Sequence, residues 1–133
     1  MTPYGTPQLL DALQAALAEA ERLGGSYGIC LVDDGGHVLL HVRQPEATVA
    51  AADSALTKAR TAAWIGADTG VLPPTASVVP ALAAGVPWPL AVFAGGLVLR
   101  AGGRIVGGVG VGGSTDPAQD LAVARAAHAV LAG

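Results

Sequence analysis

The chain has 133 residues, of which 52% are hydrophobic and only 13% charged, and its net charge is −3. That length suits one domain with one core, expected to span residues 1–133, and the seven scattered basic residues exclude the clustered basic face that nucleic acid requires. The charged share is about half the usual 25%, which predicts a homo-oligomer whose copies cover one another's apolar surface.

No apolar run reaches the length of a membrane span. The start, MTPYGTPQLLDALQ, lacks the basic-then-apolar pattern of a secretory leader, and a cytoplasmic location is expected. Cys30 is the one cysteine, so no internal disulfide can form, and its apolar neighbours predict a buried thiol.

Thr6-Pro7 predicts a helix start, with the hydroxyl as cap and proline in the first helical position. Leu10, Leu13, Leu17 and Ala20 then repeat at helical spacing until Gly24-Gly25. SYGICLVDDGGHVLLHVR holds two alternating runs about a turn at Asp34-Gly35 or the adjacent glycines, the pattern of a β-hairpin. An alanine-rich, proline-free stretch from Glu46 to about Gly66 predicts a second helix. The Pro-rich segment after it has room for one or two helical turns between Thr75 and Ala84.

Three short strands are expected next: Leu90–Ala94, Leu97–Arg100 and Arg104–Val111, with a turn at Ala101-Gly102-Gly103. Asp116-Pro117-Ala118-Gln119 then opens a last helix, with Asp116 as cap and Gln119 at the third position of a capping box. The order α-β-β-α-(short α)-β-β-β-α predicts an α+β fold, a five-stranded antiparallel sheet covered by helices.

Residues 104–112 are unusual for a strand because four of them are glycine. Gly108, Gly110 and Gly113 satisfy G-x-G-x-x-G, yet no strand carrying a ribose-binding acid follows, so the context does not support a dinucleotide site. Alternation places Ile105, Gly107, Val109 and Val111 on one face, and Val106, Gly108, Gly110 and Gly112 on the other. The second face is nearly bare and admits the alanine-rich helix, another copy of the chain or a flat ligand.

His37 and His41 fall on one face of the second strand, with Cα atoms on the order of 13 Å apart. That is too far to share a zinc, so no metal site is expected, though either could serve alone as an axial ligand or an acid–base group. Lys58, the only lysine, shares a helix face with Ser54 and Thr61, as a ligand-anchoring cation or a base does. Among the acids, Asp120 is placed to reach a neighbouring cation. His128 is expected at a surface or interface.

LVDDGGHVLLHVR, ALTKARTA, Gly95-Gly96 and GGRIVGGVGVGGSTDPAQD together resemble the HbpS/GlcG-like family. That family includes the C-terminal domain of a corrinoid adenosyltransferase of propanediol utilisation. Asp33, Gly36, Arg43, Lys58, Thr61, Gly110 and Asp120 match its pattern. The chain departs from it at Arg43-Gln44-Pro45-Glu46-Ala47, after Gly95-Gly96, where the family's proline is missing, and at Gly112, where the family has serine. The resemblance implies an α+β fold, homo-oligomers and binding of haem or another tetrapyrrole.

Two functions follow. The first is an oligomeric binding protein for haem or a related small apolar ligand, with His37 or His41 as iron donor and Arg43, Ser54, Lys58, Thr61, Gly110 and Gly112 about the ligand. The second is a cofactor-free isomerase, cyclase or dehydratase of small metabolites, in which Lys58 or His37 moves a proton with Asp120 or Asp33 as partner.

Overall fold

The computed structural model describes residues 3–73 and 75–132. In chain order the elements are α1 (Thr6–Leu23), β1 (Gly28–Asp33), β2 (Val38–Arg43), α2 (Val49–Ile65), α3 (Val78–Ala84), β3 (Gly96–Ala101), β4 (Arg104–Gly112) and α4 (Pro117–Ala132). The strands form an antiparallel sheet in the order β2-β1-β4-β3, and the fold is α+β. No described helix is long and apolar enough to cross a membrane.

The sheet has four strands, not the five expected. The stretch Leu90–Ala94 is not a strand, because its backbone bonds elsewhere: Ala91 N donates to the Thr61 side chain on α2 at 2.9 Å. Pairing starts only at Gly96, whose N–H and C=O are both taken by Thr69, at 2.8 Å to Oγ1 and 2.9 Å from its N–H.

Other sequence expectations shift by small amounts for identifiable reasons. Thr6 is already helical; Gly5 precedes α1, and Gln8 reaches back to accept from the Gly5 N–H at 3.0 Å. The buried stripe of α1 is Leu9, Ala12, Ala16 and Ala20, while Leu10 is 47% exposed. Alanines turn inward because α1 packs on α4, whose own buried face includes Ala124 and Ala127. Small side chains on both helices let the axes approach closely. α2 begins at Val49, three residues later than expected, because Thr48 caps it by accepting from Ala51 N at 3.1 Å.

α1 and α4 cover one face of the sheet, with Ile29, Leu31, Leu99, Val109 and Val111 buried beneath them. α2 covers the other, over Cys30 and Val32. The bare face of β4 belongs to α2: a Cβ on Gly108, Gly110 or Gly112 would lie 2.3 Å from Ala59 O, 1.9 Å from Ala55 O and 2.6 Å from Ala51 O. Two strand residues advance about 6.7 Å and four helical residues about 6 Å. Glycines two apart therefore stay in step with helix carbonyls four apart, and of the three occupants left open the helix takes the place.

The expected alternation fails at the start of β4. Leu99 pairs with Gly107 but Arg100 with Ile105, so Val106 is an extra residue, a β-bulge. Val106 joins the α1–α4 core, and Ile105 points instead to the end of α2, its Cδ1 2.8 Å from where a Gly66 Cβ would stand.

Candidate functional site

Lys58 lies on the buried face of α2 and is only 5% exposed. A lysine cannot be buried as a cation without partners. Its Nζ donates to Asp120 Oδ2 at 3.0 Å and to Val111 O at 2.9 Å. Asp120, 3% exposed, sits in the first turn of α4 and uses its other oxygen, Oδ1, to accept from Ser114 N at 2.9 Å. The pair thus joins the helix on one face of the sheet to a helix on the other, at the end of β4.

Gly95 makes the crossing possible. With φ at +126°, a Cβ there would stand 2.9 Å from Lys58 Nζ and 3.1 Å from Asp120 Cβ. Any side chain at that position would occupy the space the ion pair uses.

Above the pair opens a cleft of about 510 Å³, lined by Thr48, Ala50, Ala51, Ser54, Lys58, Phe93, Gly113, Ser114, Thr115, Pro117 and Asp120. The starts of α2 and α4 both face it. Asp116 accepts from Ala118 N at 3.0 Å, as the capping sequence predicted, but the capping box is not completed by Gln119. Ser114 Oγ instead accepts from Asp116 N at 2.9 Å and donates to Gln119 Oε1 at 3.1 Å. Behind this loop, burial raises the pKa of the Tyr27 hydroxyl, and the Asp120 and Asp116 carboxylates push it the same way.

Of the residues singled out from the sequence, Ser54, Lys58 and Asp120 meet in the cleft. The others, apart from Gly112, lie elsewhere. His37 is on the β1–β2 turn and not on a strand face shared with His41, exposed, its Nδ1 3.5 Å from Asp33 Oδ1. Asp33 Oδ1 accepts from the N–H groups of Gly35 and His37, so it belongs to that turn and not to Lys58. His41 holds Nε2 2.8 Å from Ala52 O, and Arg43 donates to Ala47 O at 3.1 Å. Thr61 Oγ1 donates to Thr57 O at 2.7 Å and lines a separate apolar hollow of about 30 Å³ beside α3. Gly110 lies under the α2 backbone, and Gly112 beside Ser54 at the cleft's edge. His128 places Nε2 3.0 Å from Val98 O. Among the described residues no cluster of His, Cys, Asp and Glu could hold a metal ion.

Sequence reasoning missed Phe93 and Thr48. Phe93, the chain's one phenylalanine and 59% exposed on the cleft wall, carried a signal in its rarity. Thr48 could have been found as a cap preceding an apolar helix.

Comparison with known proteins agrees with this architecture. Residues 7–129 match the family described as haem degrading protein HbpS-like. A double mutant of Streptomyces reticuli HbpS is 33% identical, with a TM-score of 0.87 over 98% of this chain and 88% of its own. A PduOC–haem complex is 27% identical, with a TM-score of 0.85 over 96% of this chain and 94% of its own. The Klebsiella pneumoniae protein ORFY is 26% identical, with a TM-score of 0.86 over 98% and 92%. No curated protein sequence matches the chain. A match over nearly its whole length, with one fold throughout, places the chain in the HbpS-like family.

Proposed function

We propose that this chain is a binding protein for a tetrapyrrole, haem or a relative of it, that works as a homo-oligomer and seats its ligand in the cleft over Lys58 and Asp120. The observation that carries the proposal is the make-up of the cleft. Ala50, Ala51, Phe93 and Pro117 give a flat ring apolar and aromatic contacts, while Lys58 and the hydroxyls of Ser54 and Thr115 offer donors to its carboxylates. A structure of similar fold over 96% of the chain is a haem complex, which supports the same ligand class.

The donor set fits the ring and its acid groups but not an iron-ligating centre. Haem iron is held by His, Cys, Met or Tyr, and none of these is among the described residues lining the cleft. His37 lies on an exposed turn and His41 holds Nε2 2.8 Å from Ala52 O, and neither is among the residues lining the cleft. The proposed binding is therefore through the macrocycle and its carboxylates.

The oligomer is supported by the low charged share, 13%, together with exposed apolar side chains such as Trp64 at 41% and Val71 at 64%.

Titrating haemin into purified protein and recording the visible spectrum tests the proposal. A saturable, stoichiometric Soret change that persists in His37→Ala and His41→Ala is expected. A change no larger than an unrelated apolar protein gives overturns it. Sedimentation should return at least twice the 13.0 kDa of one chain, and the mass of a single chain overturns the oligomer.

A further inference from the structure

The hydroxyls of the cleft are not equivalent. Thr48 Oγ1 is committed to Ala51 N, and Ser114 Oγ to Asp116 N and Gln119 Oε1. Neither Ser54 Oγ nor Thr115 Oγ1 makes a hydrogen bond to any described residue, but Thr115 is exposed to solvent while the Ser54 side chain is half-buried in the cleft wall. One helical turn later on the same face is Lys58, whose ammonium has three donors and only two protein acceptors. A buried cation with an unfilled donor thus stands beside a hydroxyl with no partner.

The surrounding field has a sign. Asp120 balances the charge of Lys58, and Asp116 and Asp120 sit at the start of α4. The first turn of α2 carries no acidic residue, so its positive end, capped only by the neutral Thr48 hydroxyl, faces the cleft. Of its first N–H groups, that of Ala51 is taken by Thr48, at 3.1 Å to Oγ1. A group entering between Ser54 and Lys58 must accept hydrogen bonds, and it is favoured if negatively charged.

We infer that the cleft selects its ligand by a single carboxylate, which accepts from the Ser54 hydroxyl and from the third donor of Lys58, with the ligand's apolar body against Phe93. The inference shares its site with the tetrapyrrole proposal but does not depend on a ring of that size. Asp120 is a positioning residue: it holds the Lys58 ammonium in place and touches no ligand.

A small probe separates the two ideas. The full chain is titrated with 1-naphthoate and with 1-naphthylmethanol, its neutral counterpart, by calorimetry, and with haemin alongside. The acid should bind saturably, one per chain, and the alcohol at least about thirtyfold more weakly. Ser54→Ala removes no contact of the fold, so it should leave the melting temperature unchanged and weaken naphthoate about tenfold, the worth of one hydrogen bond to a charged group. Equal binding of acid and alcohol, or unchanged affinity in Ser54→Ala, overturns the inference. Naphthoate binding without haemin binding supports it and removes the tetrapyrrole; haemin binding without naphthoate does the reverse.

Discussion

Gly110 is where the two layers of the molecule come closest. A Cβ there would stand 1.9 Å from Ala55 O and 2.5 Å from Ala59 N, both backbone atoms, so no side chain can swing aside to admit it. Gly110→Ala must lift α2 off the sheet, and we expect a loss of about 3 kcal/mol or more in chemical unfolding. Gly103→Ala is the control: nothing lies within 4 Å of its Cβ, and its φ of +79° alone should cost about 1–2 kcal/mol. That β4 is built for close approach was legible in its four glycines, since alternation put three of them on one face. What lies against that face was not, because a helix, a second subunit and a flat ligand ask the same of it. Lys58 and Asp120 were legible as a cation among alanines and an acid able to reach one. The acceptor Val111 O was not, since a carbonyl has no letter in a sequence.

At the scale of elements, the weakest part is the stretch between α2 and β3. α3 buries none of its residues, and its start has no side-chain cap. The ends of the stretch are tied to the rest of the fold, Gly66 to Arg100, Asp68 to Val98, Thr69 to Gly96 and Gly95 to Val111. Among the described residues between 75 and 92, however, the anchors are Ala91 to Thr61 and Trp88 stacked under Arg60 at 5.3 Å. The Trp88 Nε1 is buried without a hydrogen-bond partner among the described residues, a further cost of closing the stretch down. Limited proteolysis should therefore cut first within residues 75–89 and leave the sheet and α1, α2 and α4 intact. Initial cleavage in the β1–β2 turn would refute this. The same few anchors explain the misplaced fifth strand: Leu90–Ala94 has the composition of a strand, but α2 offers Ala91 a side-chain acceptor before any strand does. Likewise, the bulge at Val106 cannot be read from local alternation, because the register it corrects belongs to β3 as well as β4.

For the whole molecule, the layered core fixes how stability responds to alkali. Burial pushes the Cys30 thiol up to about 12 from an ordinary value of 9.0. Below 9.0 the thiol is protonated in both states and contributes no pH dependence. Between 9.0 and about 12 the unfolded chain loses this proton and the folded chain keeps it, so stability falls as pH rises, by about 1.4 kcal/mol per pH unit of the gap at most. Urea midpoints should drop across that window, and Cys30→Ala should flatten the slope; an equal slope in both proteins would show that other groups govern it. The Lys58–Asp120 contact has a wider consequence. Because it ties the two helical layers across the end of the sheet and also floors the cleft, the cleft exists only while the layers are docked, and a ligand there binds only the folded chain. A ligand at a hundred times its Kd then adds about 2.7 kcal/mol to the stability of the whole chain, so the melting temperature itself reports what the cleft holds.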